Sequence, residues 1–243
     1  IINFQVKING NETIRSSYTI SEKDSEEQNL LDITKVEYWF KDFLDEVGHD
    51  KACLIMHTDP RDSYGQDLQS IVNQLDLNKG QILFSTQKVG MEQLAMFYNL
   101  ADCTVNISDA EGFGLATLES LSCGTPIIVN MTGGLQEQVT DGKSWFGIGL
   151  QPDSKAIIGS QEVPFIYEDR LNGKKVSSAL RDMYMSDQEY RDALGRAGRE
   201  HVIKNYSFEV FEKSWVDLML RIHEEEGSWE TRKHMNYRLL EVA

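Results

Sequence analysis

The sequence predicts an α/β fold in which a doubly wound parallel sheet is followed by C-terminal helices. Two observations predict this fold: short apolar runs alternate with amphipathic stretches up to about residue 140, and helical periodicity alone continues after residue 174. Short buried strands separated by helices form βαβ units, which give a parallel sheet covered on both faces. Because crossovers between parallel strands are right-handed, the helices wind onto both faces of the sheet.

The expected strands are short runs rich in apolar and β-branched residues. They cover residues 1–8, 51–57, 81–85, 103–107 and 126–129. The expected helices are stretches in which apolar residues recur every three or four positions. They cover residues 34–47, 65–75, 91–100, 115–122 and 135–139.

Two stretches interrupt this alternation. Residues 9–32 are polar and carry a cluster of charges, which predicts a loop or poorly ordered excursion. Residues 143–172 contain several glycines and two prolines, which predicts a wandering loop with a small β element at 163–167. Helices are expected again at 176–185, 189–205 and 208–225. We therefore expect one domain over residues 1–225 and a C-terminal tail over 226–243.

The composition excludes several classes of partner. There are 24 Lys and Arg residues against 39 Asp and Glu residues, for a net charge of -15. Nucleic acids and anionic membranes are bound by basic patches, so neither is an expected partner. No apolar stretch approaches the roughly 18 residues of a membrane span. The three cysteines form no C-x-x-C pair, and the first residues do not resemble a signal peptide, which together predict a cytoplasmic location.

In a doubly wound sheet, ligands bind in the loops at the carboxyl ends of the strands. These loops are expected after Ile8, His57, Ser85, Ile107 and Asn130.

The loop after the fourth strand carries the most informative pattern, DAEGFGLATLESLSCG at residues 109–124. Gly112 and Gly114 flank Phe113, so the backbone can turn sharply and approach a ligand closely. The following helix begins at about Gly114, and its unpaired N–H groups and positive dipole end form an anion site. Glu111 and Glu119 bracket the turn, and a carboxylate suits a vicinal diol because each oxygen can accept a hydroxyl proton.

Together these features favour a sugar nucleotide as the ligand. On spacing alone, the alternative is a tight turn with a solvent-exposed Glu111 and a capping or ion-paired Glu119.

Residues 111–119 (EGFGLATLE) resemble the E-x7-E motif of retaining GT-B glycosyltransferases, especially the large family-4 group known as glycosyl transferases group 1. Residues 120–129 are similar to the continuation of that motif, and GGLQE at 133–137 with DG at 141–142 resembles the next family loop. Upstream, the family pattern of the helix before the motif is matched at Leu94, Tyr98, Ala101 and Asp102. The resemblance covers roughly residues 51–141 and, weakly, the closing helices. It implies a Rossmann-like half of a GT-B fold, with residues 1–225 as the domain that binds the nucleotide-sugar donor.

The resemblance also implies roles for individual residues. Glu111 would be the catalytic residue, contacting the donor sugar and stabilising positive charge at its anomeric carbon, and Glu119 would hold the ribose hydroxyls. The donor would be a nucleoside-diphosphate sugar bound without metal or other cofactor. Backbone amides at Phe113, Gly114 and Leu115, with Gly112 in the same turn, would meet the distal phosphate and the sugar, and Lys88 and Val89 would border the nucleobase. His57 and Thr58 are further candidate binding residues because they end a strand at the edge where ligands bind.

The sequence departs from the family pattern at the cations that bind the diphosphate. The expected Arg and Lys-Gly spacing after the first strand is missing, and Lys7, Arg15 and Lys23 match it poorly. The family also needs an acceptor-binding domain, for which residues 1–243 leave no room. We therefore expect this chain to be a donor half that works with an N-terminal acceptor-binding domain or its equivalent, toward an unknown acceptor.

Two other functions stay open. One is a sugar-nucleotide-binding module without transfer activity. The other is a different GT-B enzyme such as a sugar-nucleotide epimerase, which would need further acid and base residues that the sequence does not show. A dinucleotide dehydrogenase is disfavoured because no G-x-G-x-x-G follows the first strand.

Overall fold

The computed structural model describes the backbone of residues 2–8 and 15–18, and describes residues 35–62, 66–163, 165–228 and 230–231 in full. The chain divides into two compact units, residues 1–202 and 203–243. Within the described ranges, no helix is both long and apolar enough to cross a membrane.

The first unit is built on one large sheet, whose strand order is β4-β3-β1-β2-β5-β6-β7. Among the strands that the structure describes, all of this sheet except β1 run in one direction, and β1 is antiparallel to β2, β3 and β5. Two further strands, β8 and β9, form a separate antiparallel hairpin. The bounds are β1 Ile2–Ile8, β2 Arg15–Tyr18, β3 Ala52–His57, β4 Ile82–Phe84, β5 Cys103–Asn106, β6 Ile127–Asn130, β7 Gly147–Leu150, β8 Ser154–Ile158 and β9 Ile166–Arg170.

Between residues 35 and 139 helices alternate with strands, and within the described residues further helices follow β9, as the periodicity predicts. Their bounds are α1 Lys35–Val47, α2 Leu68–Gln74, α3 Met91–Leu100, α4 Leu115–Ser122, α5 Leu135–Val139, α6 Gly173–Met185, α7 Gln188–Tyr206 and α8 Phe208–Glu226. The α/β fold with C-terminal helices is therefore confirmed.

The core lies between the sheet and the helices that cover it. Phe40, Phe43 and Leu44 form the buried stripe of α1, and they belong to one apolar cluster with Met56 of β3 and Met183 of α6. This burial fixes α1 on the sheet because removing apolar surface from water is the main stabilising term in folding. The first residue of α1, Lys35, consequently lies close to the loop that follows β5.

Two sequence-based expectations are wrong at the start of the chain. Because β1 is antiparallel to β3 and Ile8 pairs with Ala52, β1 ends at the opposite edge of the sheet from His57 and Asn106, and not at the edge where a ligand loop was expected. Alternating residues predict a strand but do not encode its direction, which explains the error. Residues 9–32, expected to be a loop, contain strand β2, which pairs with β5.

A third expectation is wrong in extent. Residues 143–172 form three strands where a loop with one small β element was expected. The strand missed in the main sheet, β7, contains two glycines, a pattern typical of loops. A side-chain carbon at Gly147 would lie 1.8 Å from the carbonyl oxygen of Ile127, so the close approach of β7 to β6 requires a glycine there.

Candidate functional site

The loop that carries Glu111 is anchored to the end of β5. The backbone N–H of Ser108 donates to Oδ1 of the buried Asn106 at 3.1 Å, which turns the chain immediately after the strand. Nδ2 of Asn106 lies 3.4 Å from Oε2 of Glu111. One amide side chain therefore fixes both the turn and the half-buried carboxylate at the carboxyl edge of the sheet.

Two glycines in the loop after β6, Gly133 and Gly134, pack against the backbone of the loop that carries Glu111. The N–H of Gly134 donates to the carbonyl of Gly112 at 3.2 Å. Gly133 has a φ of +47°, and a side-chain carbon there would lie 1.6 Å from the carbonyl oxygen of Glu111. Only a residue without Cβ permits this approach, so Gly133 and Gly134 determine the position of the Glu111 backbone.

Gly114 opens helix α4 in a left-handed conformation with a φ of +86°. A side-chain carbon there would lie 2.6 Å from Cδ2 of Leu135. Nearby, Nε2 of the buried Gln138 donates to the carbonyl of Phe113 at 2.5 Å, and Oε1 of Gln138 contacts the hydroxyl of Thr117. These contacts direct the first N–H groups of α4, which have no partner within the helix, toward the carboxyl edge of the sheet.

Glu119 lies on the solvent-facing side of α4, one turn after the exposed Leu115. The hydroxyl of Tyr98, on α3, donates to Oε2 of Glu119 at 2.8 Å. Tyr98 is only 1% exposed, so a rigid buried ring holds the end of an exposed acidic side chain.

The loops after β3 and β4 also lie at this edge, and the second of them is the one predicted to border the nucleobase. Nδ1 of His57 lies 3.0 Å from Oγ of Ser85, and the His57 ring is 5.7 Å from the ring of Phe97. The first contact joins the two loops to each other, and the second joins His57 to helix α3. Thr58 is half-buried, and Lys88 is exposed with the half-buried Val89 beside it.

Sequence reasoning missed two cations at the site. Nζ of Lys35 lies 3.1 Å from Oδ2 of Asp109, and a guanidinium nitrogen of Arg170 lies 3.2 Å from the same oxygen. Arg170 also forms an ion pair with Glu168, and all four side chains are largely buried. Local spacing could not reveal this cluster, since Lys35 and Arg170 lie on elements far apart in the chain. The side chains of Lys7, Arg15 and Lys23, the cations considered from sequence, fall outside the described residues.

Strand β9 reaches the site through backbone contacts. The N–H of Asp169 donates to the carbonyl of Asp109 at 2.7 Å. Nδ2 of Asn130, fully buried at the end of β6, donates to the carbonyls of Ser108 at 2.9 Å and Asp169 at 2.7 Å. The β8–β9 hairpin is thus attached to the loop after β5, and this attachment delivers Arg170 to Asp109.

The loop after β5 and the helix that follows it thus supply N–H groups and two glutamates, and two cations lie against Asp109 of the same loop. N–H groups and cations bind phosphate oxygens, and carboxylates accept protons from sugar hydroxyls. In the part of the chain that the structure describes, no group of three or more His, Cys, Asp or Glu side chains is placed to hold a metal ion.

Known proteins resemble the part of the chain that contains Glu111 and Glu119. The model of the family described as glycosyl transferases group 1 matches residues 62–201. A D-inositol 3-phosphate glycosyltransferase from Acidothermus cellulolyticus is 36% identical over 110 residues, covering 42% of this chain and 24% of that enzyme. A trehalose synthase from Rubrobacter xylanophilus is 27% identical over 207 residues, covering 79% of this chain and 43% of that enzyme. The chain therefore spans less than half the length of these relatives.

Solved structures share the fold. The C-terminal domain of LpcC, a glycosyl transferase group 1 family protein from Francisella tularensis, aligns with a TM-score of 0.52 at 20% identity, over 83% of this chain and 89% of that domain. HepE from Anabaena, solved with UDP and glucose, aligns with a TM-score of 0.54 at 13% identity, over 87% of this chain and 49% of that protein.

Proposed function

Since this chain belongs to the glycosyl transferases group 1 family, we propose that it is the donor-binding half of a retaining glycosyltransferase. It would bind a nucleoside-diphosphate sugar for transfer to an acceptor that is held mainly by another domain. One observation carries the proposal: the Glu111 loop, the first turn of α4 and Glu119 follow one strand end at the carboxyl edge of the sheet.

The diphosphate is assigned to the start of α4 and to the cations at Asp109. Helix N–H groups and charged side chains form the strongest hydrogen bonds to phosphate oxygens. Lys35 and Arg170 meet at one oxygen of Asp109, so both cationic groups lie within a few ångströms of each other. Because Glu168 offsets part of the charge of Arg170, we assign the larger share of phosphate binding to Lys35.

These groups also suit the chemistry of transfer. Negative charge grows on the departing diphosphate as the bond to the sugar breaks, and preorganised cations and N–H groups stabilise that charge. Asp109 holds the Lys35 ammonium and the Arg170 guanidinium in place before the donor arrives, which reduces the reorganisation that binding requires. The diphosphate would then leave without help from a metal ion.

The two glutamates are assigned to the two sugars of the donor. Glu119 is exposed and held by Tyr98, and it would accept protons from the ribose hydroxyls. Glu111 lies at the strand end beside Asn106, where its carboxylate would contact hydroxyls of the donor sugar. Its negative charge would stabilise the positive charge that develops at the anomeric carbon.

The test is a calorimetric titration of this chain with UDP, GDP and ADP, with and without Glu119→Ala. HepE was solved with UDP and glucose, so UDP is the first choice of ligand. We expect one nucleotide to bind saturably and Glu119→Ala to weaken it by about tenfold or more, the size of a lost hydrogen bond to a charged group. Glu189→Ala, an exposed acid on α7, is the matched control and should bind as the unsubstituted chain does.

Hydrolysis of the corresponding nucleotide sugars distinguishes an enzyme from a binding module. Slow release of free sugar that depends on Glu111 supports a transferase. Binding without hydrolysis, and without transfer when an acceptor-binding half is supplied, favours the module. No binding of any of the three nucleotides would refute both.

A further inference from the structure

Tyr98 connects a rigid part of the fold to the exposed Glu119. Its ring is buried, and its hydroxyl donates to Oε2 of Glu119 at 2.8 Å. Its backbone carbonyl accepts a hydrogen bond from the hydroxyl of Thr125 at 2.7 Å, which ties the end of α3 to the segment before β6. The phenol hydroxyl therefore has a position set by the core, whereas the glutamate side chain would otherwise sample several rotamers.

The chemistry of this contact suits a carboxylate that must bind a neutral ligand. An ionised carboxylate has two oxygens with about four sites for hydrogen bonds, and one phenol occupies only one of them. Within the described residues, Glu119 forms no ion pair, so the hydroxyl of Tyr98 orients the carboxylate without neutralising it. The remaining lone pairs stay available for the two hydroxyls of a ribose.

On the basis of the proposed function, we propose that Tyr98 is a positioning residue for Glu119 and that it sets the preference of the site for ribose over 2′-deoxyribose nucleotides. Tyr98 does not contact the nucleotide. It holds Glu119 in the rotamer in which both hydroxyls of the diol can donate to the carboxylate. Without the phenol hydroxyl, Glu119 still binds one hydroxyl, but the second bond is made at the cost of ordering a flexible side chain.

The experiment compares Tyr98→Phe with the unsubstituted chain. The tightest binder among UDP, GDP and ADP is titrated beside its 2′-deoxy counterpart, and the ratio of the two dissociation constants is the readout. We expect the unsubstituted chain to prefer the ribose nucleotide by about tenfold or more, and Tyr98→Phe to reduce that preference to about threefold or less, because a hydrogen bond to a charged group is strengthened by preorganisation. Affinity for the deoxynucleotide should change by less than about twofold.

A merely structural role for Tyr98 predicts a different result, in which both nucleotides weaken together and the ratio is unchanged. Tyr190→Phe, at an exposed tyrosine of α7, is the matched control and should leave the ratio as it is. Combining Tyr98→Phe with Glu119→Gln should add nothing to the loss of preference caused by Glu119→Gln alone. Thermal unfolding of each variant verifies that the chain is folded.

The outcomes separate this inference from the proposed function. If the unsubstituted chain binds no nucleotide, the proposed function fails and the inference fails with it. If it binds and prefers ribose, but Tyr98→Phe keeps the same preference, the inference alone is overturned.

Discussion

Gly133 lies beneath the loop that presents Glu111, in a backbone conformation with a φ of +47°. Replacing it with alanine places a carbon 1.6 Å from the carbonyl oxygen of Glu111, and a backbone atom cannot move away by changing rotamer. The left-handed conformation costs a residue with Cβ about 1–2 kcal/mol. Overpacking adds about 1–3 kcal/mol. We therefore expect Gly133→Ala to lower the free energy of unfolding by about 2–5 kcal/mol.

Gly80→Ala separates the two contributions. Gly80 also has a positive φ, of +100°, but a side-chain carbon there would have no atom within 4 Å. Urea denaturation should show a loss of about 1–2 kcal/mol for Gly80→Ala, from the backbone conformation alone. Calorimetry should show weaker binding of a nucleotide sugar in Gly133→Ala only, since that variant displaces Glu111. Equal losses of stability in the two variants would refute the packing argument.

Three further predictions concern charged side chains. Lys35→Met should weaken binding of a nucleoside diphosphate by about tenfold in calorimetry, because charge-assisted bonds to phosphate are lost, and it should leave binding of the nucleoside unchanged. Lys41→Met, at an exposed ion pair, is the control. Weaker binding of the nucleoside to Lys35→Met would contradict the assignment. Burial raises the pKa of Glu37 from 4.5 to about 8, so the folded chain binds a proton that the unfolded chain releases. The free energy of unfolding should therefore fall as pH rises from about 4.5 to 8. In urea denaturation, Glu37→Leu should flatten this dependence on pH. An unchanged dependence would show that Glu37 is not its source. Glu111→Gln should slow donor hydrolysis by about a hundredfold with nearly unchanged UDP affinity, and equal effects on both would contradict its assignment to the donor sugar.

The helices and strands β1 and β3 to β6 could be predicted from the sequence because local periodicity encodes them. The buried residues of α1, such as Phe40 and Leu44, recur in the sequence at the spacing of one helix face. Strand direction and pairing are decided by contacts between distant segments, so the antiparallel β1 was not foreseen. In β7 the sequence misleads, because Gly147 is needed for close contact with β6 but is typical of a loop.

The residues of the candidate site likewise fall into those that the sequence predicts and those that only the fold brings together. Glu111, Gly114 and Glu119 lie within one continuous segment, so their spacing predicts that one strand end and one helix start present them. Lys35 and Arg170 are brought together only by the fold, one by the packing of α1 and the other by the attachment of β9 to the loop after β5. A search restricted to the loop after the first strand therefore could not find them. The hydrogen bond from Tyr98 to Glu119 likewise depends on how α3 lies beside α4.

A crystal structure of this chain with the nucleotide sugar that it binds most tightly tests the central claim most directly. We predict density for the diphosphate against the first turn of α4 near Lys35, with the ribose hydroxyls within hydrogen-bond distance of Glu119 and the donor sugar beside Glu111. Density for the nucleotide at any other surface, with these side chains arranged as they are here, would contradict it.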